Sequence, residues 1–237
     1  MTSDSNAILR SSDRDSSQSY VNGDPSLGYP QIVIRTDLPA KKTDLNPIIK
    51  ALDEVAANYP DDKEKRGMAV LEKLNDMLGS KLGHSWIIIF HSKAEDDYSS
   101  YAYHEGYGYV HNGDTRGETN DTPAREFTYQ RILPINLAKI PILENCTIPY
   151  LNFSAEKIGE MLKTEPAHGR SGVYNGLTNC SWFAGRLWSR VMETDLPFVQ
   201  KFDGAAYAER WGLDILYIIR GIAEPGIIAE SIAAKSH

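Results

Sequence analysis

Two cysteines and six histidines are the side chains of this 237-residue sequence best suited to nucleophilic and general-base chemistry. Cys180 stands in YNGLTNCSWFAGRLWSRV, where a polar turn gives way to an amphipathic helical pattern. Thr178 or Asn179 can cap that helix, which places the thiol in its first turn. Backbone N–H groups and the helix dipole stabilise a thiolate there and lower the pKa of a cysteine. The position therefore favours a reactive thiol, although a lone cysteine is more commonly a buried structural residue.

Cys146, in LENCTIPY, is the rival nucleophile because it also follows an asparagine. Pro149 comes three residues later and argues against a helix that starts at this cysteine. Without a helix terminus, nothing in the local sequence stabilises a thiolate at Cys146. We therefore interpret Cys146 as a buried or strand-edge cysteine, and Cys180 as the candidate nucleophile.

A thiol nucleophile usually needs a nearby base, most often histidine. His84 and His91 bracket the stretch HSWIIIFH, whose β-branched and aromatic content predicts a buried strand. Alternation along a strand puts His84 on the same face as Trp86 and His91 on the opposite face. His84 follows a glycine at the start of the strand, where its side chain can reach a site at the sheet edge. His84 is therefore the predicted base, and a solvated histidine at a strand end is the alternative.

An imidazole base also needs a third group that fixes its orientation and its tautomer. If HSWIIIFH and DYSSYAYH form a hairpin, His104 falls almost opposite His84. If the chain then turns at Glu105, the next strand, YGYVH, ends in His111. Either His104 or His111 can fill this role, whereas Glu105 is less suited because it lies in the predicted turn.

Helices, then strands, then helices follow one another along the chain. LNPIIKALDEVAANYP and DDKEKRGMAVLEKLNDMLGS carry apolar residues at helical spacing, and the pattern becomes helical again from Phe202 on. PQIVIRTDLP holds a short apolar run bounded by Pro30 and Pro39, which indicates an edge strand. This order predicts an α+β fold in which a small antiparallel sheet packs against helices.

Residues 1–29 are rich in Ser, Asp, Asn and Gly and offer little apolar surface. We therefore predict a flexible N-terminal arm, because burial there cannot offset the entropy lost on ordering. Residues 30–237 form a single domain with a C-terminal helical extension after Phe202. Within this domain NFSAEKIGEMLKTE predicts a helix capped by Ser154.

Composition excludes several functional classes. The net charge of −7 and the pI of about 5.4 argue against nucleic-acid binding and against attraction to anionic membranes. No stretch approaches the roughly 20 apolar residues of a membrane span, and the N-terminus lacks the apolar core of a signal peptide. We expect a soluble protein that is cytoplasmic in the producing cell. Any export would use a route that reads no ordinary signal.

The stretches GHSWIIIF, YGYVH and YNGLTNCSWFAGRL together resemble the circularly permuted papain-like thiol hydrolases. These are relatives of the NlpC/P60 proteins and of the lecithin–retinol acyltransferase group. Their pattern has a histidine at the start of the first core strand, a polar residue on a following strand, and a late Asn-Cys at a helix start. The matching positions here are His84, then His111 or His104, then Asn179-Cys180. The resemblance covers residues 82–191 approximately, implies a permuted papain-like core with helical additions, and favours His111 as the third residue.

The resemblance implies a cysteine hydrolase that cleaves amide bonds. The spacing around Cys180 also looks like bacterial toxin-type members, including interbacterial effectors that cut peptidoglycan peptides. Cys180 would attack the carbonyl, His84 would shuttle the proton, and backbone N–H groups at the helix start would stabilise the oxyanion. No metal or cofactor is needed. The expected partners are a peptide or peptidoglycan substrate, and an immunity protein or a component of a secretion machine.

Two other functions fit the same sequence. A thioesterase or acyltransferase of the same fold would use the same residues on a different bond, and the tyrosine-rich strands could line its site. A non-enzymatic adaptor or inhibitor would use its helices to bind a partner. In that case Cys180 and His84 need not lie close together.

Overall fold

The computed structural model describes residues 8–10, 22–78, 83–104, 108–111, 121–140 and 178–234. Within these ranges the α-helices are α1 (Asn46–Ala56), α2 (Lys63–Leu78), α3 (Cys180–Met192), α4 (Ala205–Trp211) and α5 (Pro225–Ala233). The strands are β1 (Ile8–Arg10), β2 (Gln31–Thr36), β3 (Ser85–Phe90), β4 (Tyr98–His104), β5 (Gly108–His111), β6 (Tyr129–Pro134), β7 (Val199–Lys201) and β8 (Gly221–Ala223).

The strands form one large antiparallel sheet and one small one. The six-stranded sheet has the order β1-β6-β2-β3-β4-β5, and every neighbouring pair runs antiparallel. β7 and β8 pair separately as a two-stranded sheet. Helices pack on the large sheet, so the predicted α+β fold with an antiparallel sheet against helices is confirmed.

β2 lies at the centre of the large sheet. It pairs with β3 on one side and with β6 on the other, and all of its residues are buried. The prediction of an edge strand here was wrong. Pro30 and Pro39 both lie outside the paired residues Gln31–Thr36, so neither proline removes a donor from the ladder.

The large sheet is covered on both faces. On one face Ile87 and Ile89 of β3 belong to a core cluster with Phe183 and Leu187 of α3 and Ile228 of α5. On the other face the buried cluster consists of Val33, Trp86, Ile88, Phe90, Ala102, Phe127 and Ile132. Burial on both faces explains why β3 reads as a continuous apolar run rather than as an alternating one.

The predicted C-terminal helical extension divides between two cores. α4 packs with α1 and α2 in a separate cluster that contains Leu52, Val70, Ala208 and Trp211. α5 instead contributes Ile228 and Ile232 to the main cluster under the sheet. The fold core of the described chain therefore extends beyond residues 82–191, because β2, β6 and α5 all belong to it.

Parts of the predicted N-terminal arm take regular structure. Ile8–Arg10 pairs with β6 as strand β1, and Pro25–Leu27 forms a 3-10 helix capped by Asp24. Cys146 and the predicted helix at Ser154 lie outside the described residues. Within the described ranges, none of the helices combines the length and the apolar character that crossing a bilayer requires.

Packing of α3 on the sheet is the contact that holds the candidate nucleophile in place. Leu187 is fully buried in this contact, whereas its neighbour Arg186 is exposed. We expect Leu187→Ala to lower the free energy of unfolding by about 2–5 kcal/mol, because it leaves a cavity between helix and sheet. Arg186→Ala should change it by less than about 0.5 kcal/mol. Urea unfolding of both variants checks this, and equal losses would contradict the packing of α3.

Candidate functional site

The start of α3 is fixed by the side chain of Asn179. Its Oδ1 accepts hydrogen bonds from the backbone N–H groups of Ser181 at 3.0 Å and Trp182 at 3.1 Å. Its Nδ2 donates to the carbonyl of Ala223 in β8 at 2.8 Å. Asn179 is therefore the N-cap, and the helix begins at Cys180 as the sequence predicts. Through this cap, the helix start that carries Cys180 is also attached to β8.

Cys180 occupies the first helical position and is only 1% exposed. The helix dipole favours a thiolate at this position. The amides of Ser181 and Trp182 already donate to Asn179. The expectation that helix-start amides stabilise an oxyanion therefore does not extend to these two groups. The thiol contacts the carbonyl oxygen of Gly83, with Sγ at 3.8 Å.

His84 lies immediately before β3 and is held by Asp37, which follows β2. The backbone N–H of His84 donates to Asp37 Oδ1 at 2.5 Å, and the backbone N–H of Asp37 donates to the carbonyl of His84 at 3.2 Å. The His84 ring stacks on Trp86 with the ring centroids 5.4 Å apart. It therefore lies on the Trp86 face of the strand, as alternation predicts.

Gly83 is required by the geometry of this junction. Its φ angle is +62°, a conformation that favours glycine. A Cβ at this position would lie 2.6 Å from Asp37 Oδ1 and 2.3 Å from Leu38 Cγ. The glycine before His84 thus lets Asp37 approach closely enough to bind the His84 backbone.

His104 lies across the sheet from His84, as the hairpin argument predicts. The β3–β4 register pairs Ile87 with Tyr101, and its continuation sets His84 opposite His104. The centroids of the two imidazole rings are 4.4 Å apart. The strand pattern in the sequence was therefore sufficient to predict that these two histidines lie close together.

Asp121 is the site residue that sequence reasoning missed. Its carboxylate lies between the two imidazoles: His84 Nε2 is 3.0 Å from Oδ1, and His104 Nε2 is 2.5 Å from Oδ2. Arg125 Nη1 donates to Oδ1 at 2.7 Å, and Asp121 is only 1% exposed. In this geometry the group that orients His84 is Asp121, and His104 binds the other oxygen of the same carboxylate.

The loop that carries Asp121 is anchored to the end of β2. Arg35 Nη1 donates to the carbonyl of Pro123 at 2.7 Å, and the backbone N–H of Thr128 donates to the carbonyl of Thr36 at 2.8 Å. In the sequence this loop is simply polar, with Asp114, Glu118 and Asp121 equally available. The one available signal was chemical, since a carboxylate commonly orients a histidine base.

The electrostatics of the site give His84 and His104 different protonation states. Burial opposes protonation of His84, but the charge and hydrogen bond of Asp121, together with a side-chain hydrogen bond and charge from Cys180, raise its pKa to about 9. Burial lowers the pKa of His104, and the charge of His84 also lowers it, whereas the hydrogen bond that His104 donates to Asp121 raises it. At neutral pH His84 is therefore an imidazolium and His104 is neutral.

Asp121 stays ionised despite its burial. Desolvation raises the pKa of its carboxyl group, but the charge of His84 and the hydrogen bonds from both histidines outweigh it and hold the pKa well below its usual range. The result is a chain of contacts from Cys180 through His84 to Asp121. An imidazolium beside a thiol favours the thiolate, so this arrangement can activate the Cys180 sulfur as a nucleophile.

The remaining candidate histidines lie elsewhere in the sheet. His91 follows the other end of β3, where its Nε2 is 2.9 Å from Ser99 Oγ. The backbone of His111 pairs with Tyr101, which is itself paired with Ile87. This sets His111 about 10 Å along the sheet from His84 and two strands away. The structure brings together Cys180, His84 and His104, and it does not bring His111 to them.

The same cluster offers a donor set for a metal. One donor atom from each of His84, His104 and Asp121 lies within 4.8 Å of the others, and two imidazoles with a carboxylate suit Zn²⁺. Arg125 already places a positive charge on Asp121 Oδ1, which repels a second cation. His84 in turn is hydrogen-bonded to Cys180. These contacts favour a hydrogen-bonded triad over a metal centre.

Comparison of the chain with protein-family models, with curated proteins and with solved structures gives no match. The resemblance to permuted papain-like thiol hydrolases therefore stays a prediction. Function is inferred instead from the geometry of Cys180, His84 and Asp121, together with the motifs in which these residues stand.

Substitution of Gly83 tests the junction between the strand and the site. We expect Gly83→Ala to lower the free energy of unfolding by more than about 1 kcal/mol, because it adds a clash with Asp37 to the strain of a positive φ. Gly28 is a control for a positive φ without a clash, since its φ is +73° and nothing lies within 4 Å of where a Cβ would stand. Gly28→Ala should cost less than Gly83→Ala in urea unfolding. Equal costs would show that the approach of Asp37 does not constrain this position.

The pKa of His84 also predicts a pH dependence of stability. Because its folded pKa of about 9 exceeds the ordinary 6.5, its proton stabilises the folded state fully below pH 6.5, and this contribution is lost as the pH rises through 9. The loss should be roughly 3 kcal/mol at most. Urea unfolding on either side of this window measures it. Asp121→Asn, which removes the charge that raises the pKa, should show a smaller decline; an equal decline would contradict the ion pair.

Proposed function

We propose that this chain is a cysteine hydrolase that cleaves amide bonds. The observation that carries the proposal is the position of Cys180 at the start of a buried helix, with Sγ 3.8 Å from the carbonyl oxygen of Gly83 and so beside His84, whose Nε2 is 3.0 Å from Asp121 Oδ1. A nucleophile, a base and an orienting carboxylate in this order are the parts that nucleophilic acyl transfer requires.

The chemistry follows from the charges of the three groups. The thiolate of Cys180 attacks the carbonyl carbon of the scissile amide. The tetrahedral intermediate collapses as His84 Nδ1, the ring nitrogen that does not face Asp121, gives its proton to the departing amine. Neutral His84 then takes a proton from water, whose oxygen attacks the thioester. Release of the acid regenerates the thiolate and the imidazolium. Asp121 holds the ring throughout and stabilises its charged form.

The proposed substrate is a peptide of peptidoglycan, and the proposed role is that of an interbacterial effector. This choice is supported by the resemblance of the His84 and Cys180 motifs to toxin-type members of the permuted papain-like group. An immunity protein or a component of a secretion machine would be the partner of such an effector.

The alternative functions differ in what they require of the site. A thioesterase or acyltransferase would use the same three residues on an acyl thioester or ester. A non-enzymatic adaptor has no need for contact between Cys180 and His84, so the hydrogen bond between them supports an enzyme instead. A comparison of peptidoglycan with an acyl thioester as substrate separates the two enzymatic functions.

Release of peptidoglycan fragments, followed by mass analysis, tests the assignment. Cys180→Ser should abolish release, and His84→Ala should reduce it by about 10²–10⁴-fold, because the base and the activator of the thiol are lost together. Asp121→Asn and His104→Ala should have milder effects, since the base remains but is less well held. Each variant is checked by thermal melting, so that loss of activity is separated from loss of folding.

Two substitutions serve as controls in the same assay. Cys146→Ser removes the rival thiol, and His91→Ala removes the histidine at the far end of β3. Both should release fragments at the wild-type rate, and a chelator should leave the wild type unaffected. Release of fragments by His84→Ala at the wild-type rate would contradict the proposed function. Inhibition by a chelator would instead favour a metal on His84, His104 and Asp121.

A further inference from the structure

Arg125 contacts three of the residues that contact His84. Its Nη1 lies 2.7 Å from Asp121 Oδ1, its Nη2 lies 3.7 Å from Asp37 Oδ2, and its Cζ lies 4.9 Å from the centroid of the Trp86 ring. Each of these partners contacts His84 in turn. Asp121 binds the ring nitrogen, Trp86 stacks on the ring, and Asp37 accepts from the backbone N–H.

We propose that Arg125 is a positioning residue that fixes the His84 ring through Asp121, Trp86 and Asp37. The effect on hydrolysis presupposes the proposed function, but the effect on the His84 ring does not. One guanidinium can make these contacts together because it is planar, carries donors along two edges and stacks on an aromatic face. His84 is thereby fixed at its ring nitrogen by Asp121, at its ring face by Trp86 and at its backbone N–H by Asp37.

The expected effects on stability and on rate distinguish a positioning role of Arg125 from a purely structural one. The side chain of Arg125 is 29% exposed, and its buried partner Asp121 keeps the hydrogen bonds of both imidazoles when the guanidinium is lost. Loss of the guanidinium should therefore lower the melting temperature only slightly. A misplaced catalytic group, by contrast, can reduce the rate by about 100-fold after a shift of roughly 1 Å. A large kinetic effect with a small stability effect is the signature of positioning.

Arg125 also acts through its charge. The charged and titratable groups that face His84 are Asp121 and Arg125 of the loop, Asp37 after β2, His104 of β4 and Cys180 of α3. Arg125 shares Asp121 Oδ1 with His84, so it draws on the negative charge that stabilises the imidazolium. Removal of this charge by itself should therefore raise the pKa of His84, whereas loosening of the ring from Asp121 should lower it.

The experiment compares Arg125→Met and Arg125→Lys with Arg210→Met in the full chain. Arg210 is a matched control in the α1–α2–α4 cluster, since it pairs with Asp53 at 2.8 Å and lies 4.8 Å from the Tyr207 ring centroid. The readouts are the pH titration of the His84 ring by NMR, the melting temperature, and kcat and KM for peptidoglycan fragment release.

Arg125→Met should lower kcat by about 10- to 100-fold with little change in KM, and should move the His84 titration away from that of the wild type. Arg125→Lys should restore the titration, because it restores the charge, but only part of kcat, because an ammonium cannot make the three contacts together. Arg210→Met should match the wild type in the His84 titration, in kcat and in KM.

An unshifted His84 titration together with a wild-type kcat in Arg125→Met would overturn the inference. If Arg125→Met does not fold, a wild-type kcat in Arg125→Lys would do the same, since the lysine variant should retain only part of the rate. If the wild type releases no fragments, the proposed function fails. Unchanged NMR chemical shifts and unchanged N–H exchange of the His84 ring in Arg125→Met would then overturn the inference about Arg125.

Discussion

The buried carboxylate of Asp121 is the constraint on which the candidate site depends. Removal of an ion from water costs several kcal/mol unless the ion is paired and hydrogen-bonded. Asp121 meets this requirement with two imidazoles and a guanidinium. Since each partner comes from a different segment, the loop, the strand ends and the protonation of His84 are coupled. The positive charge of His84 stabilises the buried carboxylate of Asp121, and the same charge favours a thiolate at Cys180.

The end of β2 determines where these partners meet. Arg35 holds the Asp121 loop, Thr36 binds the same loop through Thr128, and Asp37 binds the backbone of His84. These three consecutive residues lie at the end of a fully buried central strand. The proposed base, His84, and the carboxylate that binds it are therefore attached to one of the most constrained parts of the fold, which suits a site that must hold its geometry.

The site forms beyond the start of β3 rather than over a face of the sheet. α3 packs on the face that carries Ile87, whereas His84 stacks on Trp86, which lies on the opposite face. Cys180 meets His84 because the helix begins beside Gly83, where β3 has not yet started and a side chain is not confined to one face. The N-cap of Asn179 on β8 fixes this position of the helix start.

Local signals in the sequence determined the α+β class, the helix start at Cys180, the face of His84 and the pairing of His84 with His104. Each follows from backbone periodicity or capping, which neighbouring residues decide. The sequence did not indicate that β2 is central, that α5 belongs to the sheet core, or that Asp121 rather than His111 approaches His84. Those features depend on contacts between distant segments, and a polar loop carries no periodicity that distinguishes one carboxylate from another. Only the tertiary structure, through the anchoring of the loop by Arg35, decided which acid is buried between the two histidines.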